Sequence, residues 1–137
     1  MRFKDGQTGL DIAEHIVMLY YSDVDKAREF YGSILKLKKA LENDWVTLFQ
    51  VTPKSFIGTV KEDSAGGYHK VQPENSVMVS IATNDVEGWY DRLMSFDDIR
   101  FIKHLYDAKS MPIKAFLIAD TGGYTIEFFQ WREKPAL

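Results

Sequence analysis

The chain repeats its own grammar. A short apolar, β-branched and aromatic run, IVMLYY at 16–21, leads into SDVDKAREFYGSIL, where Val24, Ala27, Phe30, Tyr31 and Ile34 recur at helical spacing. The same order returns in MVSIATNDVEGWYDRL at 78–93. Sliding one copy along the other by 62 residues pairs Ile16 with Met78, Val17 with Val79, Leu19 with Ile81, Asp23 with Asp85 and Val24 with Val86. That is one supersecondary unit used twice. Ser22 is placed to cap the first helix and Asn84 or Asp85 the second, with Asp23 and Asp25 suited to the positive end of the first helix.

Strand-like runs follow each helix. In the first half they are WVTLFQV (45–51) and SFIGTV (55–60), joined by TPK, with KALE (39–42) as the weakest strand. In the second they are IRFIKH (99–104), IKAFLIA (113–119) and YTIEFF (124–129), the last two joined by DTGG. Aligning the two final hairpins at an offset of 69 sets Leu48 against Leu117, Ile57 against Ile126 and Gly58 against Glu127. Between the halves, KEDSAGGYHKVQPEN (61–75) is polar and contains Gly and Pro, as linkers do. The expected fold is α+β and a single domain over 1–137: a first βαβββ module at 14–62, a linker at 63–75 and a second βαβββ module at 76–131.

Composition removes several classes of function. With 45% hydrophobic and 27% charged residues the chain has the make-up of an ordinary globular domain, long enough to bury a core unaided. A net charge of -3 lacks the basic footprint of a nucleic-acid binder, and KLKK at 36–39 reads as a solvated helix end. The absence of cysteine excludes disulfides, thiolate catalysis and Cys-ligated zinc. The first fifteen residues carry no apolar segment and no later run approaches transmembrane length, so a cytoplasmic protein without a membrane partner is expected. No Ser/His/Asp elbow, phosphate-cradling glycine loop or dinucleotide fingerprint is present, and DTGG and SAGG read as ordinary turns.

The duplicated unit, with SDVDKAREFYGSIL after its first strand and DTGGYTIEFFQ at its end, resembles the vicinal oxygen chelate superfamily over about residues 14–131. That superfamily includes glyoxalase I, bleomycin-resistance proteins and extradiol dioxygenases. The resemblance implies paired curved mixed sheets around a ligand cup, often in a homodimer. In its metal enzymes it implies a His or Glu on the first strand of each module and a Glu on the last. Carried over, the first-strand positions are Ile16 and Met78, and the last-strand positions are Gly58 and Glu127. Of these four only Glu127 suits a divalent cation. His15 lies one residue from the expected position, and a bulge near Ala13 would be needed to turn it toward Glu127. His69 and His104 read as solvated or capping residues.

Strand alternation places Ile16, Met18 and Tyr20 on the cup face, together with Met78, Ser80, Glu127 and Phe129. Phe49, Phe116 and Ile118 are further candidates for its wall, with simple core packing as their alternative role. A carboxylate partly withdrawn from water among such residues either accepts a proton, anchors a ligand, or meets a nearby cation or solvent at the mouth. The expected function is a metal-independent, cofactor-free binder of a hydrophobic or planar small molecule. Two alternatives stand beside it: a glyoxalase-type lyase or dioxygenase with a divalent metal ion at His15 and Glu127, and a metal-free enzyme with Glu127 as general base.

Overall fold

A computed structural model describes residues 8–64 and 69–135, so residues 65–68 of the expected linker lie outside the described residues. The first module comprises β1 (His15–Tyr21), α1 (Val24–Glu29), β2 (Lys38–Glu42), β3 (Val46–Thr52) and β4 (Ser55–Lys61). The second comprises β5 (Met78–Ala82), α2 (Val86–Met94), β6 (Arg100–Asp107), β7 (Ile113–Ala119) and β8 (Thr125–Trp131). Each module builds a four-stranded sheet, ordered β1-β4-β3-β2 and β5-β8-β7-β6. The first strand of each runs parallel to the last and the remaining pairs are antiparallel, giving two mixed, unclosed βαβββ sheets.

The repeat extends to hydrogen-bond register. In the first sheet Gly58 lies between Met18 and Leu48, and in the second Glu127 lies between Ser80 and Leu117. These triplets are related by the offsets of 62 and 69 found in the sequence.

Three local expectations are corrected. Asp23, not Ser22, caps α1, accepting the Lys26 N–H at 3.2 Å, because it stands three residues before that donor. Asp85 takes the same role in α2, accepting the Gly88 N–H at 3.0 Å. The first helix does not continue regularly to Leu35: after Glu29 it widens into a π-helical turn over Phe30–Ile34, closed by the Leu35 N–H on the Phe30 carbonyl at 3.0 Å. That wider turn lets the adjacent Phe30 and Tyr31 both enter the core. Finally, KLKK does not extend a helix end. Lys36 takes a left-handed φ of 59°, and Lys38 and Lys39 begin β2.

One face of each sheet packs against the helices. Leu19, Tyr21, Phe49 and Ile57 from the first module join Phe116, Ile118, Ile126 and Phe128 from the second, with Ala27, Leu93 and Val86 from the helices, in one buried cluster. Trp89 of α2 stacks on Phe128 and Phe128 on Phe116, at 5.0 and 5.3 Å between ring centroids. Burial of each such large side chain contributes about 1.5–3 kcal/mol.

A buried carboxylate links the modules. Asp120, in the β7–β8 turn, is 6% exposed. Its Oδ2 accepts the Tyr21 and Tyr31 hydroxyls, the latter at 2.7 Å, and its Oδ1 accepts the N–H groups of Gly122 and Tyr124 at 2.9 and 2.8 Å. Burial pushes the Asp120 carboxyl above the usual range, against the opposing pull of these four donors. Burial likewise raises the Tyr21 and Tyr31 hydroxyls, which therefore remain protonated donors. The DTGG turn is accordingly more than a turn. A Cβ on Gly122 would lie 2.7 Å from the Tyr21 ring, and Gly123 adopts a φ of 84°. Among the described residues no helix is long and apolar enough to cross a membrane.

Candidate functional site

The sheet faces opposite the core carry the candidate site. On the second sheet, register places Ser80, Glu127, Leu117 and Lys103 in one row across β5, β8, β7 and β6. The Ser80 hydroxyl donates to Glu127 Oε1 at 2.9 Å. One step along the strands lies the row of Ala82, Phe129, Ala115 and Tyr106, where Lys103 Nζ sits 3.7 Å from the Tyr106 ring centroid. Trp131 meets Phe129 edge-on at 5.1 Å, so an aromatic corner stands beside the carboxylate. Ser80 fixes one carboxylate oxygen and leaves the other able to accept from a ligand.

The first sheet answers this polar row with an apolar one. Met18 stands where the second module has Ser80, and Gly58 where it has Glu127. The Met18 thioether occupies the space a side chain at Gly58 would need, and Leu48 closes the other side, 3.2 Å from where a Cβ would sit. Ile16 and Met18 remain 39% and 42% exposed, and the Tyr20 ring meets His69 edge-on at 5.2 Å. His69, Leu48, Leu117, Tyr106 and Lys103 therefore join the face without having been anticipated from sequence, whereas strand alternation already sets Trp131 on the side of Glu127 and Phe129.

Ile16, Met18, Tyr20, Met78, Ser80, Glu127 and Phe129 lie on these outer faces, whereas Phe49, Phe116 and Ile118 do not. All three are fully buried on the opposite side: Phe49 against Tyr31 and Gly32, Phe116 against Phe128, and Ile118 paired with Ile126. The correction follows from the hairpin. The β7–β8 turn closes with Ala119 opposite Thr125, which sets Leu117 opposite Glu127 and turns Phe116 and Ile118 to the other face. The alignment of Leu48 with Leu117 already carried that information.

The donor set does not fit a metal centre. Ile16, Met78 and Gly58, at the positions the resemblance marks for ligands, offer no hard side-chain donor beside Glu127. The β1–β4 pairing runs unbroken from His15↔Ser55 to Tyr21↔Lys61, so His15 takes the Val17 side of the strand rather than that of Ile16. His104 stacks on Phe101 at 4.9 Å and hydrogen-bonds the Tyr90 hydroxyl at 2.8 Å. Among the described residues no group of three or more His, Asp or Glu side chains could hold a metal ion.

Two four-stranded mixed sheets, each built from one βαβββ module, define a duplicated α+β repeat protein. The chain belongs to the Glyoxalase/Bleomycin resistance protein/Dioxygenase superfamily, whose model matches residues 13–128. Among solved structures it is similar to a glyoxalase/bleomycin resistance protein/dioxygenase from Nocardioides (17% identity, 96% of this chain and 92% of that one, TM-score 0.73). It is also similar to a glyoxalase-related enzyme from Fulvimarina pelagi (15% identity, 90% and 91%, TM-score 0.72). A third similar structure is a lactoylglutathione lyase from Agrobacterium tumefaciens (17% identity, 88% and 94%, TM-score 0.67). At these identities the likeness concerns the fold. Comparison with curated proteins gives no match.

Proposed function

We propose that this chain is a metal-independent binder of a hydrophobic or planar small molecule, of the bleomycin-resistance type, acting in the cytoplasm as a homodimer. The ligand rests on the outer sheet face, with Glu127 as its polar anchor and Phe129 and Trp131 as its aromatic wall. The observation that carries this reading is the substitution of the polar row by an apolar one. Met18 over Gly58 supplies bulk and softness where a second carboxylate would stand, which suits an apolar contact and not a cation. The half-exposed Ile16, Met18 and Met78 favour burial against a ligand or a second copy.

A catalytic reading keeps one specific support: Ser80 orients the Glu127 carboxylate as a general base would need. Titration of planar aromatic compounds against Trp131 fluorescence separates the two, with Trp131→Phe as the control for Trp45 and Trp89. Binding that quenches Trp131 and weakens about ten-fold in Glu127→Gln, with the compound recovered unchanged, supports the binder. Conversion of the compound by the native protein, nearly abolished in Glu127→Gln, contradicts it. So does an absence of quenching across the panel.

A further inference from the structure

The two modules meet at two junctions related by the repeat, and they are filled differently. At the first, Tyr124 at the start of β8 reaches β1: its hydroxyl accepts the Tyr20 N–H at 3.1 Å and donates to the Tyr20 carbonyl at 3.1 Å. One phenol thus satisfies both backbone groups at the edge of β1, with its ring packed edge-on against Tyr21 at 5.5 Å.

Exchanging the modules by the same offsets carries Tyr124 to Ser55, Asp120 to Val51, Tyr20 to Ala82 and Tyr21 to Thr83. The second junction therefore has a serine where the first has a phenol. Ser55 turns its hydroxyl to Thr52 Oγ1, at 2.7 Å. What remains is a cavity of about 280 Å³ whose lining includes Val17, Val51, Ile57, Val79 and Ile81 together with His15 and Ser80. A cavity of about 150 Å³ with an aliphatic lining is enough for benzene. β5 is the edge strand of its sheet. The Thr83 N–H bonds the Phe129 carbonyl, so strand alternation turns the N–H and carbonyl of Ala82 toward the free edge, as those of Tyr20 are turned at the first junction.

We infer that this second junction is a ligand site for a small phenol, the ring entering between Val51, Val79 and Ile81 and the hydroxyl bridging the Ala82 backbone. The site borders the cup through Met78 and Ser80 but does not use its anchor, since its lining includes neither Glu127 nor Phe129.

The test is a titration of the full chain with p-cresol, the tyrosine side-chain analogue, followed by methyl-detected NMR, with toluene as the analogue lacking the hydroxyl. Saturable shifts centred on Val17, Val51, Ile57, Val79 and Ile81, with toluene about ten-fold weaker, are the expected result. Ser55→Tyr supplies the missing ring from the chain itself and should abolish p-cresol binding, whereas Glu127→Gln should leave it within about two-fold. Absence of saturable shifts at millimolar p-cresol would overturn the inference, as would shifts centred on Leu117 and lost in Glu127→Gln. Should Ser55→Tyr not fold, the methyl map and the toluene comparison in the native protein decide alone.

Discussion

Met18 lies over Gly58, its thioether filling the space that a side chain there would occupy, while the equivalent pair in the second module is Ser80 hydrogen-bonded to Glu127. The same backbone register thus supports an apolar contact in one half and a polar one in the other.

Gly58→Ala places a methyl group against Met18 and Leu48 and should cost about 1–3 kcal/mol of stability. In a Met18→Ala background the cost should fall, because the clashing atom is gone. A double-mutant cycle from urea unfolding measures this coupling, and strict additivity would contradict the contact.

Tyr31→Phe removes a buried hydroxyl that donates to a carboxylate at 2.7 Å, and should lower stability by about 1.5–3 kcal/mol. Tyr90→Phe also removes a hydroxyl partner, but the Tyr90–His104 pair is exposed, so its cost should stay within about 0.5 kcal/mol. Thermal unfolding of the two variants side by side checks the ranking.

The Asp120 cluster sets a pH dependence. Burial raises the folded Asp120 carboxyl above its unfolded value, so its stabilising contribution is full below roughly pH 4 and is lost as pH rises through the folded value. The melting temperature of the native protein relative to Asp120→Asn should therefore decline from acid toward neutral pH. Tyr21 and Tyr31 are raised in the same sense, mainly by burial, so a second loss should begin above roughly pH 10 and be smaller in Tyr21→Phe. A pH series of melting curves reports both.

Much of the fold was legible in the repeat. The pairings Ile16 with Met78 and Gly58 with Glu127 carry the sheet register, since a register shift would move every apolar side chain to the wrong face. The sheet face of the candidate residues was legible where strand parity alone decides it, as at Met18, Tyr20, Ser80 and Glu127. It was misread at Phe49, Phe116 and Ile118, because a strand such as IKAFLIA is apolar on both faces and its parity must be counted from the turn. The Asp120 cluster was not legible at all. Its members stand 99 and 89 residues apart in sequence, and only the packed modules bring them together.

The proposal rests on Glu127 acting without a metal, and the most direct measurement is elemental analysis of the untagged protein, followed by anaerobic thermal shifts with Mn, Fe, Co, Ni and Zn. The account predicts no stoichiometric metal and no stabilisation by any of the five ions. Near-equimolar metal, or a rise of several degrees that disappears in Glu127→Gln, would contradict it.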